Sequence, residues 1–283
     1  APIHTLLFEP RTIADFFRGV DIRTSFIERL AGGKGFFKWY LPMMPTAFES
    51  FDLSPFDVIL SSSSALSKGV IAHPHQLHIC YCHSPTRYLW SDTHEYLEKL
   101  PERRLVRIIL PMLLTRLRMW DHQAAARVDH FIANSRWVAR RIKKYYGREA
   151  EVVYPPVDTK YFTVGDGSGG YFVILSRLRP YKKVDLAIEA FNRLRLPLIV
   201  AGSGEDETRL RRMAGPTIAF RTNVSDGERR DLLARAVALL HPQEEDFGIT
   251  AVEAMAAGRP VIAFRRGGAT ETVVDGETGV FFD

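Results

Sequence analysis

Cysteine is nearly absent: the 283-residue chain has two, Cys80 and Cys82, two positions apart. They cannot staple a fold, so a reducing compartment such as the cytosol is the expectation. No stretch reaches the roughly 18 unbroken apolar residues of a membrane span. The opening residues, APIHTLLFEP, do not read as a secretory leader. Zinc-finger spacing, aromatic RNA-binding signatures and basic tails are missing, so nucleic acid is not an expected partner. No Asp-x-Asp pair occurs, which leaves a metal-dependent donor site of that type unsupported.

What is present is an ordinary globular composition, 46% hydrophobic and 25% charged, enough for two domains. The formal charge of +5 is uneven. Residues 1–165 carry 22 Lys and Arg against 16 Asp and Glu, whereas residues 166–283 carry 16 against 17. The basic excess therefore lies in the first half, where it suits an anionic membrane surface or a phosphate-bearing substrate.

The second half alternates. YFVILSRL (171–178) reads as a buried strand, KKVDLAIEAFNRL (182–194) has helical apolar spacing, and LPLIVAGSG (196–204) is a strand ending in a glycine loop. SDGERRDLLARA (225–236) opens as a capping box, with Ser225 followed by Glu228. VALLHP, GITAVEAMAAG, PVIAFRR and TGVFF continue the pattern, which predicts βαβ units, a parallel sheet and a ligand at the strands' carboxyl ends. In the first half, FDVILSSS (56–63), QLHICYCHS (76–84) and VDHFIANS (128–135) read as strands. Residues 97–127 read as a long helix, with Pro101 near its start and Pro111 as an expected kink. VVYPPVDTKYFTVGDGSGG (152–170) reads as a linker and loop between two domains.

The stretch HPQEEDFGITAVEAMAAG holds Glu245 and Glu253 seven residues apart around a helix start that Asp246 or a neighbour could cap. Eight residues of helix span roughly 12 Å. The backbone N–H groups of Phe247, Gly248, Ile249 and Thr250 lie between, and a helix N-terminus with a glycine suits a diphosphate. The pattern allows one carboxylate on sugar hydroxyls and the other on a ribose. It equally allows Glu245 as a partner of the helix dipole and Glu253 as a solvated helix position. The cluster His73, His75, His78, Cys80, Cys82 and His83 matches no common zinc spacing, and strand cysteines serve as small core residues. No metal or cofactor is expected.

EEDFGITAVEAMAAGRPVIAFRRGGATETVVDGETGVFF resembles the donor-site segment of family 4 retaining glycosyltransferases. LSRLRPYKKVDLAIEAF resembles their basic donor-phosphate motif, VAGSGED their glycine loop, and IANSRWVARRIKKYYG with VVYPPVD their interdomain segment. ICYCHSPTRYLW is similar to a subgroup that includes O-antigen mannosyltransferases.

The resemblance implies an α/β GT-B fold: two Rossmann-like domains facing a cleft, with an acceptor domain over 1–156 and a nucleotide-sugar domain over 157–283. It also implies that the family's first strand and C-terminal crossover helix are missing from this chain. The expected catalytic residues are His83, Arg177, Lys182 and Glu245, with Lys183 an alternative to Lys182. The expected donor-binding residues are Gly202, Val224, Asp226, Phe247, Gly248, Ile249, Thr250 and Glu253. Arg177 and Lys182 would offset the charge of a departing nucleoside diphosphate. By resemblance His83 lies across the cleft, near the transferred sugar. Asp226 would face a guanine, although it also falls within the capping box. Gly267, Gly268 and Glu271 resemble a loop near the sugar, the glycines also reading as a tight turn.

The function implied is retaining transfer of a hexose, mannose from GDP-mannose, to a saccharide or polyprenyl-linked acceptor in cell-surface polysaccharide synthesis. The setting would be the cytoplasmic face of the inner membrane. Alternatives are a related transferase using a UDP-sugar, and a non-catalytic nucleotide-sugar or membrane-binding module. Arg103, Arg104, Arg107, Arg116 and Arg118, interleaved with apolar residues in RRLVRIILPMLLTRLRMW (103–120), suit an anionic membrane. They equally suit a core helix whose arginines face water.

Overall fold

The computed structural model describes residues 1–9, 17–30, 37–98 and 104–283. The chain divides into two compact units, Ala1–Asn134 with Val138–Val153, and Ser135–Trp137 with Tyr154–Asp283.

The first unit is built on a four-stranded parallel sheet of β3 (Val58–Ser63), β4 (Leu77–Cys82), β5 (His130–Ala133) and β6 (Glu151–Val152), in that order. A separate parallel pair, β1 (Ile3–Thr5) with β2 (Ile22–Thr24), precedes it. These short strands lack the run of alternating residues that marks a strand in sequence. The helices are α1 (Met44–Glu49), α2 (Thr93–Glu98), α3 (Arg104–Ala126) and α4 (Arg136–Tyr146). Val138, Ile142 and Tyr146 of α4 sit at helical spacing and pack on Cys80, Cys82, Phe131 and Ala133. Both cysteines are thus core side chains, fully buried and not joined in a disulfide.

The long helix continues through Pro111, and one expectation for it changes. Arg118 turns inward, its Nε donating to the Leu89 carbonyl at 2.6 Å, with its guanidinium over the Trp90 ring. Pro101, Arg103 and the side chains of Arg104 and Arg107 lie outside the described residues.

An ionic knot closes this unit. Asp121 of α3 is fully buried and accepts from Lys68 Nζ (2.5 Å), Thr86 Oγ1 (2.8 Å), Trp90 Nε1 (2.8 Å) and Tyr146 Oη (2.8 Å). Lys68 is 1% exposed and also donates to the Ala65 carbonyl. Four donors on one carboxylate offset its desolvation, which burial of an isolated charge would not survive.

The second unit has one six-stranded parallel sheet, in the order β12-β11-β10-β7-β8-β9. Its strands are β7 (Phe172–Leu175), β8 (Leu198–Ala201), β9 (Ile218–Arg221), β10 (Leu239–His241), β11 (Val261–Phe264) and β12 (Gly279–Phe282). Between them run α5 (Val184–Leu194), α6 (Glu207–Met213), α7 (Asp226–Arg235), α8 (Ile249–Ala256) and α9 (Ala269–Thr272). Val184, Ala187, Ile188 and Phe191 of α5 are the buried stripe that the sequence spacing predicts. Strand order reverses between β7 and β10, so the chain winds outward on both sides of that pair. The loops at the carboxyl ends of this adjacent pair start side by side, the place where sheets of this kind bind ligands.

Replacing Asp121 by Ala would leave the Lys68 ammonium buried without its counter-charge. The expected cost is roughly 3–5 kcal/mol, read by denaturant unfolding. A loss below about 1 kcal/mol would show the knot to be dispensable.

Candidate active site at the strand-order reversal

Ser176-Arg177 follow β7 and Gln243-Glu244-Glu245 follow β10, so the adjacency of these strands at the reversal brings the two loops together. Lys182, in the turn before α5, forms an ion pair with Glu245 Oε1. Two of the expected catalytic residues are therefore in direct contact. Lys183 is not the partner: it is exposed and has a left-handed backbone (φ 52°) at the start of α5. Arg177 is exposed, and no described acid pairs with it.

Burial alone would raise the pKa of Glu245. The Lys182 ammonium, helped by His241 and Gln243, more than reverses this, so its carboxyl lies below the usual range. Lys182 and the Gln243 amide nitrogen both reach Oε1, Gln243 at 3.3 Å, while no described donor reaches Oε2.

The helix start differs from expectation. Asp246 does not cap α8. The N-cap is Gly248, in the left-handed region (φ 84°), and no side chain caps the helix. Ala251 N–H donates to the Gly248 carbonyl at 2.9 Å, which leaves the N–H groups of Ile249 and Thr250 for solvent or ligand, as the diphosphate reading requires. Phe247 is buried, its ring stacked on Tyr154 at 5.8 Å. Ile249 is exposed and Thr250 half-buried at the helix start.

Neighbouring loops brace this turn. A Cβ on Gly267 would overlap the Glu245 carbonyl, and one on Gly268 the Phe247 backbone. Gly268 N–H donates to the Glu245 carbonyl at 2.8 Å. The glycine pair therefore admits a close backbone approach that holds Glu245 in place. Glu271, expected near the sugar, accepts instead from Tyr154 Oη and from the N–H groups of Arg136 and Trp137, all within this unit. Gly202 ends β8 against the Ser176 carbonyl, where a Cβ would not fit.

Glu253 lies within α8, just past its first turn, and is 5% exposed. Its Oε1 is 3.4 Å from Arg229 of α7, and its Oε2 is buried without a partner. Burial raises its pKa, opposed by Arg229 and reinforced by Asp226. Asp226 is exposed at the first position of α7, 3.6 Å from Arg229. The capping of α7 falls to Ser225 and Glu228, as predicted. Val224 lines a cavity of about 510 Å³ with Tyr171, Phe220, Arg221 and Arg235. That groove contains none of Lys182, Glu245 and Glu253.

His83 belongs to the first unit, just past β4. Its Nε2 is 2.8 Å from Ser62 Oγ, and its ring meets Tyr81 edge-on. His78 is a buried core histidine 2.9 Å from Ser61 Oγ. Sequence reasoning missed Ser62, Arg229, His241 and Gln243. Of these, the two hydroxyl and amide partners had no period to betray them.

Comparison with known proteins follows this geometry. The family described as Glycosyltransferase Family 4 matches residues 6–161, and that described as Glycosyl transferases group 1 matches 165–283. The GDP-mannose-dependent alpha-(1-6)-phosphatidylinositol monomannoside mannosyltransferase of Mycolicibacterium smegmatis is 31% identical over 207 residues, 62% of this chain and 53% of that protein. The D-inositol 3-phosphate glycosyltransferase of Acidothermus cellulolyticus is 29% identical over 197 residues, 58% and 44% respectively. The structure of Anabaena Alr3699/HepE in complex with UDP and glucose aligns with a TM-score of 0.69 at 16% identity, covering all of this chain and 77% of that one. The architecture is that of a GT-B glycosyltransferase. The chain belongs to glycosyltransferase family 4. It spans about half the length of the curated relatives it matches.

Protonation gives one test. Burial lowers the pKa of both His78 and His241 from 6.5 to about 4. The unfolded chain therefore binds more protons than the folded one between those values. Both contributions are present above about pH 6.5 and are lost as the pH falls toward 4. Denaturant midpoints should drop across this window, and His241→Gln should flatten the slope for the second unit. A flat profile in the wild type would contradict the burial of both rings.

Proposed function

We propose that the protein is a retaining glycosyltransferase that moves a hexose, mannose from GDP-mannose, to a saccharide or polyprenyl-linked acceptor. The observation that carries this reading is the Lys182–Glu245 pair beside the uncapped start of α8. A cation, a carboxylate with one oxygen uncommitted and a row of N–H groups suit the diphosphate and sugar of one donor. The UDP and UDP-glucose complexes of the Anabaena protein support a nucleotide sugar. The similarity to the GDP-mannose-dependent mannosyltransferase of Mycolicibacterium smegmatis favours mannose and GDP.

In this reading the bond from the anomeric carbon to the phosphate oxygen breaks as the acceptor oxygen bonds to that carbon on the same face. The acceptor's proton passes to the leaving phosphate oxygen. Arg177, Lys182 and the first-turn N–H groups of α8 neutralise the leaving diphosphate. Glu245 Oε2 accepts from the sugar hydroxyls, and Glu253 from the ribose hydroxyls. Val224 and Asp226 face the base. Within the first unit Ser62 holds the ring of His83, the residue that the family resemblance assigns to the sugar. Positioning and charge stabilisation then supply the rate, with no metal required.

Two substitutions divide these roles. Glu253→Ala should weaken GDP binding by about 1.5–3 kcal/mol by calorimetry; unchanged affinity would remove Glu253 from the ribose. Glu245→Gln should lower turnover far more than GDP affinity. An equal fall in both would move Glu245 from the sugar to the nucleotide.

The acceptor reading includes a membrane contact through α3. Its outward face presents Ile109, Met112 and Met119, each more than half exposed, together with Arg116. Among the described residues no helix is long and apolar enough to cross a membrane. The expected result is sedimentation with vesicles containing anionic lipid, release by salt, and loss of binding in Met112→Glu/Met119→Glu. Equal binding to neutral vesicles would point to a soluble acceptor.

A further inference from the structure

Glu245 is ionised and paired with Lys182, so its oxygens can only accept hydrogen bonds. The Gln243 side chain is 5% exposed and lies 3.3 Å from Glu245 Oε1. Chemistry fixes which end of its amide faces Glu245. The carbonyl end would set oxygen against oxygen, so the NH2 end must be there. The same nitrogen lies 3.3 Å from His241 Nδ1. An NH2 group has two hydrogens and no acceptor, so one hydrogen serves Glu245 and the other serves the ring. His241 Nδ1 must then offer a lone pair, which makes the ring neutral with its hydrogen on Nε2. The ring is 3% exposed at the end of β10, where a neutral form is favoured. Its Nε2 is buried without a partner, on the side of Gly248, where a Cβ would stand 3.1 Å away. Position 248 thus admits glycine for its left-handed backbone and for the imidazole beside it.

The geometry points to Gln243 as a positioning residue: anchored by neutral His241, its amide joins Lys182 in holding Glu245 Oε1, so that Oε2 is the oxygen presented to the substrate. The link to catalysis rests on the transfer reaction proposed above, whereas the bridge itself does not. Glu245 has three rotatable bonds between its backbone and its carboxylate oxygens, and one cation alone leaves the carboxylate free to pivot about that contact. A second donor on the same oxygen from a different direction removes the pivot. The anchoring His241 is set by a sheet strand, so the bridge ties the carboxylate to the rigid part of the unit.

The test has two arms on the whole chain. In the first, without substrate, long-range proton–nitrogen spectra of nitrogen-15-labelled protein read the His241 tautomer. Wild type should show the hydrogen on Nε2, and Gln243→Glu should draw one onto Nδ1. Wild type carrying its hydrogen on Nδ1 would overturn the bridge. In the second arm, Gln243→Met keeps the volume and deletes both hydrogen bonds. Its turnover should fall about tenfold or more, the scale of a small misplacement of a catalytic group. Its affinities for GDP and UDP should stay within about twofold, which also shows that the unit is folded. Wild-type turnover in this variant, or an equal loss of nucleotide affinity, would overturn the positioning role. If the wild-type chain transfers no sugar from any donor, the proposed function falls, and the tautomer arm still decides the bridge.

Discussion

The reversal of strand order between β7 and β10 is the constraint on which the candidate site depends. A parallel sheet that grows outward from one pair of strands leaves the loops after that pair side by side at its centre. The basic loop of Arg177 and Lys182 and the acidic loop of Glu245 leave from these two strand ends. Their meeting is a consequence of topology, and the ion pair between Lys182 and Glu245 is its chemical expression. Everything else at the site serves to keep that meeting in register. The backbone of Gly267 and Gly268 packs against residues 245–247, Gly202 packs against the loop after β7, and Gln243 reaches from Glu245 to the end of β10.

The two carboxylates of the site sit in opposite electrostatic settings. Glu245 has a lysine in contact and is held ionised. Glu253 is buried with an arginine at 3.4 Å and an acid nearby, and its pKa moves upward. A group held as a charge suits hydroxyls that must be gripped as positive charge develops on a sugar. A buried carboxylate with an unpartnered oxygen gains from ligand hydroxyls that supply its missing donors. The first unit uses charge differently. Its Asp121 knot is satisfied by four donors and holds α3, α4 and the segment through Thr86 and Trp90 together.

Much of the second unit was legible because buried parallel strands and amphipathic helices write their periods into the sequence. The stripe of Val184, Ala187, Ile188 and Phe191 and the Ser225–Glu228 box are direct instances. The pairing of Lys182 with Glu245 was half legible: both residues were candidates, but 63 positions separate them and only the strand order joins them. Asp246 was misread as a cap because the preference of acids for helix starts is statistical, whereas the left-handed Gly248 removes the need for one. His241, at the end of β10, and Gln243, in the loop after it, stayed hidden because hydrogen bonds between side chains leave no spacing in the sequence. β1 and β2 are three residues each, too short for alternation to register.

The central claim is that the donor's diphosphate lies at the reversal, on the uncapped start of α8. Backbone amide shifts recorded while GDP is titrated into the labelled chain test it directly. The account predicts the largest changes at Gly248, Ile249, Thr250 and Glu253, with Lys182 and Arg177 next. Changes concentrated instead on Tyr171, Phe220 and Arg235, around the groove beside α7, with the α8 amides unmoved, would contradict it.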